Sequence, residues 1–239
     1  SPTELLLQLF YARLKSTPAR HKSIVCSRRP AVKTVNRYTG AKPGAVHAAL
    51  TQLPFDIIYT TNFDTLIEQA YSSVPHLVIA SDSDMVFLGG NRRCSIIKLH
   101  GDSARRNSMV LTTDDYTQYL DSHPIIATYL SATFITRTFV FIGYSMSDSN
   151  VRSISDVIQK RLGTFKRRSY WVGFDLPESD TISFGDDRVN VISIPSVTGK
   201  SKADLLLELL NHIQERVNTV LNPVSTAVRM QSIRGRGLL

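Results

Sequence analysis

The chain has 239 residues, 42% apolar and 20% charged, enough to bury a core as one α/β domain, with or without a small accessory part. Two cysteines, Cys26 and Cys94, exclude a four-cysteine zinc site within the chain and argue against a disulfide scaffold; no metal is expected. The net charge of +8 sits in residues 1–50, which hold nine Lys or Arg and one acid, Glu4, so the remainder is balanced and the high pI says little about the core.

The opening Ser1-Pro2-Thr3-Glu4 lacks the basic, apolar, small order of a secretory signal, and a start at Ser rather than Met fits a fragment or a processed chain. No run approaches the ~18 apolar residues of a membrane-spanning helix, so no membrane partner and a cytoplasmic location are expected. Residues 3–15, TELLLQLFYARLK, predict an amphipathic helix with Leu5, Leu6, Leu9 and Tyr11 among its apolar positions. Residues 16–42 are basic and poorly periodic, with Pro18 and Pro30 as breakers. Such a basic arm suits nucleic acid or an anionic surface, and suits equally a solvated helical module. Residues 43–53 predict a short helix opened by Pro43 and closed before Pro54.

From Phe55 the texture changes. Short apolar runs alternate with helical segments, the pattern of βαβ units and a parallel sheet covered on both faces. The expected strands are 55–60, 77–80, 95–99, 138–143, 169–174 and 189–194. The expected helices are 64–71, 114–120, 124–133, 148–162 and 202–221, the last with Leu205, Leu206, Leu209, Ile213 and Val217 in one stripe. Residues 222–239 contain Pro223 and end near Arg-Gly-Arg-Gly, a weakly ordered tail. The division is thus 1–54 as a basic, mostly helical accessory segment, 55–221 as the α/β core, and the tail.

Three polar clusters fall where buried parallel strands should end, the edge at which open α/β sheets bind ligands. The first is Tyr59-Thr60-Thr61-Asn62-Phe63-Asp64-Thr65-Leu66-Ile67-Glu68, although Asn62 or Asp64 could simply cap the next helix. The second is Lys98-Leu99-His100-Gly101-Asp102, in which a histidine at a strand end can accept a proton; a lone histidine is more often structural. The third is Phe141-Ile142-Gly143-Tyr144-Ser145-Met146-Ser147-Asp148. There Gly143 allows close backbone approach, and Ser145 with the amides of a helix start suits a pyrophosphate, while Ser147 or Asp148 could cap that helix.

In this order the clusters resemble the sirtuin superfamily, and more narrowly the sirtuin-like domains of bacterial antiphage-defence proteins that degrade nicotinamide adenine dinucleotide (NAD). His47 to Leu53 leading into FDIIYTTNFD, and Val110-Leu111-Thr112-Thr113-Asp114-Asp115-Tyr116 after the His-Gly, strengthen a resemblance that covers roughly residues 43–195. It implies a Rossmann-like parallel sheet with helices on both faces and NAD as substrate. Asn62 would lie under the nicotinamide ribose and order the nucleophile, and Asp64 would line the same pocket beside Thr60 and Thr61. His100 would accept a proton from a ribose hydroxyl or from water. Gly143, Tyr144 and Ser145 would pack on the phosphates and adenosine side. Phe174 and Asp175 occupy the place where the family contacts the adenosine ribose, with a poor match.

Two family features are missing. No Gly-Ala-Gly-x-Ser phosphate loop is found, Gly40 and Gly44 flanking Pro43 do not replace it, and the strand that should precede it is expected to be absent. The zinc ribbon of deacetylating members is absent too, which favours NAD hydrolysis to nicotinamide and ADP-ribose over an NAD-dependent deacylase or ADP-ribosyl transferase. A non-catalytic nucleotide-sensing or nucleic-acid-binding module is the reading from a different class. The resemblance also admits a homo-oligomer or a partner defence protein.

Overall fold

The computed structural model describes residues 7–11, 41–90, 92–105, 108–110, 115, 118–143, 167–177 and 189–221, with backbone alone for 7–11, 120 and 221. Its described elements are β1 (Leu7–Tyr11), α1 (Ala45–Gln52), β2 (Ile57–Thr60), α2 (Leu66–Ala70), β3 (His76–Ile79), a 3-10 helix (Asp82–Phe87), β4 (Cys94–Lys98), α3 (Tyr119–Ser122), α4 (Pro124–Thr136), β5 (Thr138–Ile142), β6 (Ser169–Phe174), β7 (Val189–Ile194) and α5 (Lys202–Leu221). Every expected strand from Phe55 onward is present within one or two residues. The helix expected at 148–162 lies outside the described residues, and so do 114, 116 and 117 of the helix expected at 114–120.

The strands form one parallel sheet in the order β3-β4-β2-β1-β5-β6-β7. β1 is its centre, with Leu9 in register with Ile58 on one side and Val140 on the other. This corrects two expectations: Leu7–Tyr11 is a strand, not part of a helix, and the sheet does not lack its first strand. The physical reason is that a parallel strand covered on both faces reads as an unbroken apolar run. In LLLQLFY that run cannot be told from a buried helix by periodicity.

Strands β2, β4 and β5 send alternate side chains to two cores. Ile58, Ile96, Val140 and Ile142 meet Leu50 and Leu53 near α1, and Leu206 and Leu210 of α5. Ile57, Tyr59, Ile97 and Phe139 meet Ile126, Leu130 and Phe134 of α4 on the other face. There the Phe134 and Phe139 rings stack 3.8 Å apart, and the buried Tyr59 hydroxyl donates to Thr133 Oγ1 at 3.1 Å. No described helix is long and apolar enough to cross a membrane.

Candidate functional site

Parallel pairing brings the carboxyl ends of the strands to one edge. Tyr11 at the end of β1 is in register with Thr60 of β2 and Ile142 of β5, and Thr60 in turn with Lys98 of β4. The segments that begin at Thr61 and Leu99 therefore leave the sheet side by side, and the one that begins at Gly143 leaves at the same edge on the other side of β1. The centre of this edge, between β1 and β5, is where successive strands stop being added on one side and start on the other, the usual ligand crevice of open α/β sheets. Gly143 leaves β5 with φ +75°, a conformation that favours glycine. Tyr144, Ser145, Ser147 and Asp148 lie outside the described residues. So do the residues after β1, Ala12-Arg13-Leu14-Lys15-Ser16, which contain no glycine.

The first segment is held by its own polar groups. The buried Thr60 hydroxyl accepts from the Asn62 amide at 3.0 Å, and Leu99 donates to the Thr60 carbonyl at 2.8 Å. Asp64 Oδ1 accepts from the Leu66 amide at 3.1 Å, an Asx-type turn one residue ahead of Thr65, which is the N-cap of α2 and makes no side-chain cap bond. Asp64 also faces His47 of α1, whose pKa is lowered by burial and partly restored by the Asp64 charge.

His100 sits directly against that segment. It is 4% exposed, its ring lies 6.2 Å from the Phe63 ring, and it hydrogen-bonds to the backbone of Thr61 in the sense that favours the imidazolium, donating to the carbonyl. Burial outweighs this bond and, with a smaller contribution from His123, pushes the His100 pKa down to about 4. Above that pH the ring is neutral, with one nitrogen committed to Thr61 and the other basic. His100, distant in the chain, thus lies against the segment that carries Thr61 and Phe63, the two neighbours of Asn62. Gly101 follows with φ +79°, packed so tightly that a Cβ there would lie 2.0 Å from the Ser108 carbonyl oxygen.

Lys98 is the residue to which sequence reasoning gave no role. Its side chain is fully buried, and its ammonium reaches the Asp64 carbonyl at 2.6 Å, Glu68 Oε1 at 2.7 Å, Asp102 Oδ2 at 2.8 Å and the Phe63 carbonyl at 3.4 Å. A lysine inside the apolar run SIIKL was the available signal, since a charge there must be paired. Farther along the edge, Asp175 has φ +50°, and its carboxylate accepts from the Ser196 amide at 2.7 Å and hydroxyl at 2.5 Å. That carboxylate fastens the end of β6 to the end of β7.

Residues 56–190 match the family model described as SIR2-like domain. The chain is 35% identical over 127 residues to the NAD(+) hydrolase ThsA of Cytobacillus dafuensis, covering 52% of this chain and 26% of that protein. It is 34% identical over 117 residues to the NAD(+) hydrolase ThsA of Enterococcus faecium, covering 46% and 24%. With Defense-associated sirtuin 2 of Bacillus subtilis it shares 26% identity over 161 residues, 62% of this chain and 15% of the relative. The matched stretch thus spans about a quarter of the length of either hydrolase. With more than half of its residues fitted by one family model, and with a central first strand and polar strand ends in the expected order, the chain belongs to the SIR2-like domain family.

Proposed function

We propose that this chain carries the catalytic domain of an NAD glycohydrolase that releases nicotinamide and ADP-ribose in antiphage defence. The observation that supports the reading best is the buried His100, whose ring lies 6.2 Å from that of Phe63, so that an imidazole packs on the segment of Asn62 at the ligand edge of the sheet. The names of the matched relatives support the substrate and the setting.

Cleavage of the N-glycosidic bond produces an oxocarbenium-like sugar as nicotinamide leaves. The step needs a fixed ribose, a nucleophile on the opposite face and a proton acceptor. Asn62 holds water beneath the ring through a neutral amide that does not itself attack. His100 takes a proton from the ribose or, directly or indirectly, from that water. Thr60, Thr61 and Asp64 shape the ribose–nicotinamide end; Gly143, with Tyr144 and Ser145 after it in sequence, serves the phosphates and adenosine side.

The test is nicotinamide release by the full chain, with and without acyl peptide. Release without peptide, lost in both Asn62→Ala and His100→Ala, is the expected result. Normal turnover by both variants refutes the residue assignment, and dependence on the peptide refutes hydrolysis in favour of deacylation.

A further inference from the structure

We propose that Lys98 is a positioning residue for this chemistry, locking the segment of Asn62 and Asp64 onto the segment of His100; the role in turnover rests on the NAD hydrolase reading. An ammonium has three N–H donors, and here all three are used at 2.6–2.8 Å: by the Asp64 carbonyl, by Glu68 and by Asp102. The first two acceptors belong to the segment after β2, and the third lies two residues beyond His100. The Phe63 carbonyl, 3.4 Å from the ammonium, also accepts from the Ser103 amide at 3.0 Å, a second tie between the same segments. Asp102 is fixed in turn, its other oxygen accepting from Ala104 at 2.7 Å.

A buried ion pair is a weak source of net stability, because desolvation offsets much of the attraction. Two apolar side chains could hold these segments together as well. What an ammonium adds is direction: three short bonds to two segments fix where the Thr61 carbonyl meets His100 and where Asn62 stands relative to both. Reaction geometry is sensitive on that scale, a misplacement of about 1 Å costing up to ~100-fold in rate.

Glu68→Gln and Asp102→Asn make the decisive pair, since the two carboxylates are similarly buried, at 12% and 11% exposure. Lys98 stands two residues before His100, so only Glu68 ties it by a side chain to the segment of Asn62 and Asp64, whereas Asp102 lies in the His100 segment itself. Steady-state nicotinamide release and thermal unfolding are measured for each in the full chain. Glu68→Gln is expected to lower kcat about 10- to 100-fold with KM for NAD changed less than about threefold, whereas Asp102→Asn, which leaves the tie between the segments in place, stays within about threefold of wild type at a similar loss of Tm. Equal kcat in the two variants overturns the proposal. So does wild-type kcat in the charge-neutral triple variant Lys98→Met/Glu68→Gln/Asp102→Asn, if it folds. A wild type that releases no nicotinamide refutes the functional reading alone. The positioning is then read from the ¹⁵N signals of the His100 ring, which should lose the Thr61 hydrogen bond in Glu68→Gln and keep it in Asp102→Asn; retention in both overturns it.

Discussion

Replacing Gly101 by alanine should damage the candidate site more than its size suggests. A Cβ at this position would meet Ser108 at 2.0 Å from the carbonyl oxygen, 2.4 Å from the carbonyl carbon and 2.7 Å from Oγ, and the first two are backbone atoms that cannot rotate away. The left-handed φ of +79° costs a non-glycine residue about 1–2 kcal/mol by itself. Moving residue 108 aside also breaks the Asp102 amide bond to Ser108 Oγ at 3.1 Å and strains the Val110 amide bond to the His100 carbonyl at 3.0 Å, worth about 1 kcal/mol each. The sum is about 3–4 kcal/mol, or roughly 6–16 °C in Tm for a domain of this size. Gly90→Ala is the control, because its φ of +103° is also unfavourable for alanine but its Cβ would point into open space. Urea denaturation of the two variants compares the clash with the backbone cost alone. A loss in Gly101→Ala within about 1 kcal/mol of that in Gly90→Ala would refute the argument that Ser108 forbids a side chain there.

Acid should weaken the fold through His100: its folded pKa of about 4 lies below the unfolded value of 6.5, so the stability it contributes is complete above pH 6.5 and is lost as pH falls to 4. The full effect is about 3 kcal/mol, seen as a fall in urea midpoint between pH 7 and 4 that His100→Gln should flatten. For the same reason the acid limb of kcat/KM should lie nearer pH 4–5 than 6.5, and a limb at 6.5 would contradict a buried base. Asp82→Ala should cost about 1–2 kcal/mol in thermal unfolding, because this carboxylate accepts from the Ile125 and Ile126 amides at 2.8 and 3.1 Å and so caps α4 from the start of the 3-10 helix. Tyr59→Phe should lose about 1 kcal/mol by removing the bond to Thr133, without altering nicotinamide release.

The sheet was legible where both neighbours of a strand and its turn were marked. FDIIYT and TFVFIG stood between breakers and helical periods, and the structure brings the ends of both strands to one edge. LLLQLFY was misread because it lies beside a basic arm with no glycine or asparagine to mark its end. Only pairing with β2 and β5 distinguishes it from a helix. Asn62 and His100 stood out as polar groups at strand ends, but that their segments leave neighbouring strands depends on register, which a single sequence does not encode locally. Lys98 was passed over for a related reason. Its three principal acceptors include a backbone carbonyl and two carboxylates on different segments, and none of these is visible as a spacing.

The central place of β1 has a consequence for how the chain acquires its shape during synthesis. β2, β3 and β4 emerge close together and can zip up early. The first strand made must wait beside them with one flank bare until Thr138–Ile142 has left the ribosome. A bare flank at the middle of a sheet is an invitation to foreign strands, so slowing elongation after residue 98 should lower the yield of native protein more than slowing it after residue 142.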